Sequence, residues 1–483
     1  MALTVPVAEI VENSKNPLLG KHESWGRVLL GDIATIQNGF PFKSSQFTRD
    51  EGMPLIRIRD VGAAGSDTYY VGDYDPAFIV KAGDLLIGMD GDFNCARWRG
   101  PDGLLNQRVC RVILKSDIYH PKLLDYALPG YLKAINDMTS SVTVKHLSSK
   151  SIAEIPLPLP PMEQQKYIVE EIEKQFSRLD DAVANLKRVK TNLKRYKAAV
   201  LKAAVEGKLT EAWRKQHLDA EPASALLQRI LAERRAKWEQ AELAKMQAKG
   251  KAPKDDTWKK KYPEPTTPDT TGLPELPEGW VWASLGQCFK VAVGATPSRK
   301  EQQYWNGNVS WVSSGEVQFC RIRETKEKIS EVGLLNSSTQ INPPGTVLLG
   351  MIGEGKTRGQ AAILEIPAAN NQNCAAIWVA HAGLPPSYVY HWFAAQYEET
   401  RLVGSGNNQQ ALNKSLVEAM VFPLPPLAEQ QAIIEEIERR LSLTDEGESQ
   451  VNTNLQRAER LRQSILSRAF SGKPHQVEMH THG

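Results

Sequence analysis

Gly350-Met-Ile-Gly-Glu-Gly-Lys-Thr357 satisfies the glycine-rich pattern that cradles nucleotide phosphates. Such a loop needs a helix directly after it, so that backbone N–H groups point at the phosphates. The adjoining segment, Arg358-Gly-Gln-Ala-Ala-Ile-Leu-Glu-Ile-Pro367, reads instead as a turn and a strand, and Lys356 and Arg358 read as a basic surface loop. Asn342-Pro-Pro-Gly345 lacks the aromatic fourth residue that would stack on a flipped base, and reads as the turn into a strand at Thr346. Asp84, Asp90 and Asp92 imitate a nuclease metal site but lack a paired lysine at the usual spacing, so they read as solvated loop acids. The histidines show no metal-ligand spacing, and His480 and His482 fall in a terminal tail. No catalytic constellation emerges. The expectation is a chain that is not an enzyme by itself and that binds neither metal nor cofactor.

Composition sets the class. The length of 483 residues predicts two or three domains, and 41% hydrophobic with 24% charged residues is ordinary for a soluble globular protein. A net charge of +3 is too small to announce nucleic-acid binding, so any DNA site must come from local clustering. Five scattered cysteines without a Cys-x-x-Cys pair argue against a disulfide framework or structural zinc and fit a reducing cytosol. No apolar run approaches the ~18 residues of a membrane span, and the N-terminal segment carries Glu9 where a signal peptide needs an apolar core. The expected location is cytoplasmic.

Two elements must position any site, because the chain repeats itself. Pro158 to Lys208 aligns without a gap onto Pro423 to Lys473. In the first copy Val169, Ile172, Phe176, Leu179, Val183, Leu186 and Leu193 form a heptad seam, with Lys190 and Lys197 also at seam positions. In the second, Ile434, Ile437, Leu441, Val451, Leu455 and Ile465 do so, with Thr444 and Glu448 making the middle polar and this helix the weaker alone. Prolines 160–161 and 425–426 stop the preceding chain. A helix of about 45 residues would be close to 70 Å long. Antiparallel pairing of the two would place one globular domain at each end.

Each helix follows a globular half. Trp25, Leu30-Gly31 and Gly39 match Trp280, Leu285-Gly286 and Gly294; Gly83 to Met89 matches Gly345 to Met351; and Asn106-Gln107 matches Asn371-Gln372. Short apolar runs at 55–58, 84–87, 109–114, 309–312, 347–349 and 375–379 read as buried strands. Shared anchors with divergent loops indicate one scaffold with separately tuned surfaces. The expected fold class is α+β: two mixed α/β domains in pseudo-two-fold repeat, separated by two long antiparallel coiled-coil helices. The expected segments are 1–157 (first domain), 158–210 (first long helix), 211–279 (charged helix and proline-rich linker), 280–422 (second domain), 423–475 (second long helix) and 476–483 (disordered tail).

With these repeats the chain resembles the DNA-specificity (S) subunits of type I restriction-modification systems. The resemblance rests on Leu276-Pro-Glu-Gly-Trp280, Trp25 with Leu30-Gly31-Asp32, and the helix starts Ile155 to Gln165 and Phe422 to Gln431. It rests equally on the helix ends Val200 to Arg214 and Ser464 to Lys473. It implies two target-recognition domains, each reading half of a split, asymmetric double-stranded DNA target, with the helices setting the spacer. It also implies two modification (M) subunits that use S-adenosylmethionine to methylate adenine, and restriction (R) subunits that use ATP and Mg.

Phosphates attract Lys and Arg, and base edges favour Arg, Lys, Asn and Gln. On that basis the expected DNA contacts are Lys43, Arg57, Arg59, Arg97, Arg99 and Lys145 in the first domain. In the second they are Arg299, Lys300, Lys356, Arg358, Asn407, Asn408, Gln409, Gln410 and Lys414. Lys187, Arg188, Lys190, Lys194, Arg195 and Lys197 form a basic helix run that either follows spacer phosphates or faces solvent. Two rival readings keep the same sequence features: a specificity subunit of a related bipartite-site methyltransferase/nuclease system without a separate translocase, and a coiled-coil protein–protein adaptor.

Overall fold

The structure, a computed structural model, describes residues 5–19, 22, 24–138, 146–250, 253, 255–353, 356–402 and 411–471. The chain forms two compact units, one of residues 1–188 with 451–483 and the other of residues 189–450. Each contains one α/β domain and part of each long helix.

In the first unit, the central sheet runs Ala34–Asn38, Val109–Leu114, Leu85–Gly88, Cys95–Arg97, antiparallel throughout. Leu85–Gly88 is buried along its whole length, which is why that run is continuously apolar. Beside it lies a sheet of five shorter strands, smaller in extent though not in strand number, in which Met53–Ile56 runs parallel to Gly103–Leu105. The second unit repeats the plan with Val291–Val293, Cys374–Ile377, Val347–Gly350 and Ala361–Leu364, adding Cys320–Ile322 parallel to the last. Its smaller sheet likewise holds a parallel pair, Trp305–Val312 with Ala369–Asn370.

A two-stranded ribbon joins each domain to its helix. Gly26–Leu29 pairs antiparallel with Pro156–Leu159, and Val281–Ser284 with Val421–Leu424. Prolines are tolerated because the ribbon has free edges that need no donor. Directly after the ribbons come the long helices, Met162–Val205 and Leu427–Phe470, each of 44 residues.

The helices pair antiparallel within each unit. In the first, Asp180 pairs with Arg462, whose guanidinium lies 4.2 Å from the ring centre of Phe176. In the second, Lys197 Nζ lies 2.5 Å from Asp445 and 2.9 Å from Glu448. Asp180 and Asp445 are equivalent in the repeat, as are Lys197 and Arg462. The same ion pair is therefore made once in each unit. Val169, Ile172, Phe176 and Leu179 are buried, Val183 packs against their cluster, and Leu186 and Leu193 are half-buried. On the second helix Ile434, Ile437, Val451 and Ile465 are buried, with Leu441 and Leu455 partly so. Thr444 is buried too, and its hydroxyl donates to the Arg440 carbonyl at 2.7 Å. The polar middle of this helix is thus satisfied by its own backbone and by Lys197.

The first long helix ends on Gly207 in the left-handed region (φ +69°), with Lys208 N–H donating to Ala203 O and Gly207 N–H to Ala204 O. That is a Schellman cap. The chain then returns to the start of the second helix, where the Glu429 side chain is wholly buried. Its carboxylate accepts from Thr210 Oγ1 (2.6 Å), Trp280 Nε1 (2.8 Å) and Arg214. In the first unit Gln164 stands at the equivalent position and accepts from Trp25 Nε1 at 3.1 Å. The neighbouring Gln165 is also doubled. Its Oε1 accepts from His120 N–H at 2.7 Å, whereas Gln430 Oε1 has no partner among the described residues. The residue equivalent to His120 is Pro385, which has no N–H to give.

The segment after the first helix belongs to the second unit and packs on its α/β domain. Helix Ala223–Ala248 buries Leu226 and Ile230 in that core, and Arg234 donates to the carbonyls of Gly286 and Phe289. Among the described residues no helix is long and apolar enough to cross a membrane.

A buried carboxylate that loses its partners, or a buried cation that loses its carboxylate, is far costlier than a broken surface pair. Glu429→Ala is expected to destabilise the second unit by about 3–5 kcal/mol. Asp180→Ala, whose side chain is 61% exposed, is expected to cost no more than about 1 kcal/mol. Denaturant unfolding of the purified chain measures both; equal shifts would contradict this ranking.

Candidate nucleic-acid interface

The first domain gathers cations around one turn. Residues Ile58–Asp60 form a single 3-10 turn, capped by Asp60, which accepts from Arg57 N–H (2.9 Å) and Ser66 Oγ (3.1 Å). Burial raises the Asp60 carboxyl above its ordinary range, opposed by the Ser66 hydrogen bond and by Arg59. The turn projects Arg57 and Arg59 to one carboxylate, Asp67, with Arg57 Nη2 at 2.9 Å. Phe47, Thr48, Arg49, Arg57, Arg59, Asp67 and Thr68 enclose a recess of about 680 Å³. A second recess of about 270 Å³ is lined by Arg57, Ile58, Arg59, Asn106 and Arg108. One exposed carboxylate facing two guanidiniums leaves the surface positive. Exposed pairs are worth only about 0–1 kcal/mol, so a phosphate or a base edge can replace Asp67 at little cost.

The other expected contacts of this domain are placed differently. Lys43 is exposed beside the turn Ser44–Gln46. Arg97 is engaged internally, donating to Asp125 Oδ2 and to Gly83 O, each at 2.6 Å. Arg99 is exposed and donates to Gly62 O at 2.7 Å. Lys145 lies outside the described residues. Of the loop acids, Asp84 holds Arg111 at 2.8 Å, and Asp90 holds His146 at 2.6 Å and Arg108 at 3.4 Å.

In the second domain Arg299 forms a two-pronged pair with Glu327, which holds that carboxyl below its usual range. Its guanidinium also lies 3.8 Å from the ring centre of Trp305. Arg299, Trp305, Asn306, Gly307 and residues 325–328 line a recess of about 420 Å³. Lys300 is exposed next to it. Lys356 gives its carbonyl to Tyr397 Oη at 2.7 Å, Arg358 donates to the Arg401 carbonyl, and Lys414 opens a short helix with Glu418 at 3.6 Å. Asn407, Asn408, Gln409 and Gln410 lie outside the described residues.

The nucleotide-like motifs have structural employment. Strand Ala361–Leu364, not a helix, comes after the Gly350–Thr357 pattern. Asn342 is wholly buried, accepting from Trp378 Nε1 (3.0 Å) and donating to Asn370 Oδ1 (2.8 Å). Selection of cations and amides missed Asp67, Glu327 and Trp305, which hold those cations, and also Arg49 and Arg108. The signal available in the sequence was the clustering of Arg57, Arg59 and Asp67 around one turn-forming segment.

Residues 22–195 and 277–457 match the family described as "Type I restriction modification DNA specificity domain". The chain is 33% identical over 476 residues to the type I restriction enzyme EcoBI specificity subunit of Escherichia coli, covering 96% of this chain and 89% of that protein. It is 22% identical to the EcoKI specificity subunit of Escherichia coli strain K12, covering 93% and 89%. Among solved structures, one described as "Structural basis underlying complex assembly and conformational transition of the type I R-M system" aligns with a TM-score of 0.59 at 16% identity. That alignment covers 94% of this chain and 99% of the other, and supports the same fold. The doubled domain, the paired helices and these matches together make the chain a member of the type I restriction-modification DNA specificity family.

Proposed function

We propose that this chain is the DNA-reading subunit of a type I restriction-modification assembly, acting in the cytoplasm without catalysis of its own. Each domain reads one half of a split, asymmetric target, and the paired helices set the spacing between the halves. Modification subunits, with S-adenosylmethionine, then methylate an adenine in each half, and restriction subunits supply ATP- and Mg-dependent cleavage. The observation that carries this reading is the doubling itself: one scaffold twice, with unlike cations and recesses on its two surfaces. Two copies reading the same bases would have no reason to differ there.

The test is a map of N6-methyladenine in cells expressing this chain with its modification subunit, against cells lacking the chain. A split motif that appears only with the chain is the expected result. Methylation indifferent to the chain, with the modification subunit active, would sink the proposal. Within that assembly, Arg59→Ala is expected to weaken DNA binding while leaving thermal stability unchanged. If Arg59 meets a phosphate, the slope of log affinity against log salt falls by about 1. Arg97→Ala is expected to do the reverse, lowering stability through loss of Asp125 and Gly83. Binding titrations at several salt concentrations and thermal melts separate the two.

A further inference from the structure

The repeat anchors Asn106-Gln107 and Asn371-Gln372 do more than mark an alignment. In both domains the strand opening the central sheet leaves through a glycine, Gly39 or Gly294, pressed against the other chain segment. A Cβ on Gly39 would lie 2.0 Å from Asn106 O, and one on Gly294 would lie 1.8 Å from Asn370 O. No side chain fits there. The turn is also pinned from the smaller sheet, by Asn106 N–H to Ile56 O (3.3 Å) and Asn371 N–H to Val312 O (3.0 Å). Gln107 N–H donates to Phe40 O at 3.0 Å. Under the second turn, Asn370 Nδ2 donates to Asn371 O (2.9 Å) and Cys374 O (2.8 Å).

On this over-determined backbone each domain presents an exposed glutamine side chain. A clamped backbone fixes where each amide is presented, so binding has to order only the side chain. The neighbours of the two glutamines differ. Residues on either side of Gln107, Asn106 and Arg108, line the recess that contains Arg57 and Arg59, and the exposed Phe40 bridges to Asn106 through its backbone. Gln372 Oε1 instead accepts from Thr296 Oγ1 at 2.5 Å, and Asn371 reaches Ser314 Oγ at 3.4 Å. The amide is common; its surroundings are guanidiniums in one domain and hydroxyls in the other.

We infer that Gln107 and Gln372 are base-reading residues shared by the two half-sites, each addressing one A·T pair in the major groove. The amide offers an acceptor and a donor at the spacing of adenine N6 and N7. The unlike neighbours then make the remainder of each half-site different. This inference rests on the DNA-reading role proposed above.

The experiment uses the full chain in complex with its modification subunits, and duplexes carrying the mapped target with each base pair replaced in turn. Gln107→Ala is expected to lose about tenfold to a hundredfold discrimination at one A·T pair of one half-site, leaving the other half-site and the thermal midpoint unchanged. Gln372→Ala is expected to do the same in the other half. Unaltered base preference in both variants overturns the inference. So does a uniform weakening across every position, which would make these backbone contacts. A wild-type complex with no split preference would instead sink the DNA-reading role itself, and that result appears before any variant is measured.

Discussion

Neither long helix can bury its own seam. A surface helix packed along one domain could hide the first turns, where Val169, Ile172 and Phe176 meet the core of the first unit. Farther along, only another helix can cover the stripe, and the chain supplies one by repeating itself. Ile465 and Phe470 at the end of the second helix join the cluster that contains Ile168 to Leu179. The hydrophobic contribution of such side chains, about 1.5–3 kcal/mol each when fully buried, outweighs the exposed ion pairs along the seam. Those pairs, Asp180 with Arg462 and Lys197 with Asp445, select the antiparallel register more than they stabilise it.

The domains depend on how each helix begins. A ribbon strand rich in proline leads into the first turn, and a tryptophan from the domain's opening segment caps it, Trp25 on Gln164 and Trp280 on Glu429. The second copy adds charge: Arg214 and Thr210 approach the same carboxylate. Gln in one copy and Glu in the other is therefore a matched change, since the acid appears where a cation is present to satisfy it. Gln430 shows the opposite outcome: its Oε1 has no partner among the described residues, and the position that donates in the first unit is a proline here.

The two candidate interface surfaces obey the same logic of shared scaffold and private decoration. The parallel pair of each smaller sheet and the glycine crossing over it recur in both units. The groups on top differ: an arginine turn held by Asp67 in the first domain, and an arginine lying on Trp305 and paired with Glu327 in the second. A carboxylate that orients a guanidinium in the free protein keeps it extended and ready, and exchanges readily for a nucleic-acid group in water.

The order of the repeat, the heptad seam, the buried strands at Leu85–Gly88 and Val347–Gly350 and the family resemblance were all legible in the sequence, because periodicity and repetition are properties of the chain itself. The role of each arginine was not. Arg59, Arg97 and Arg299 look alike as letters, yet one lines an open recess, one is held by Asp125, and one lies on an indole. The glutamines of the Asn-Gln anchors read as alignment landmarks until the fold showed their backbone clamped and their side chains exposed. A local pattern determines which residues can form an element. Whether a polar side chain is spent inside the protein or left available depends on partners distant in sequence, and only the tertiary structure decides that.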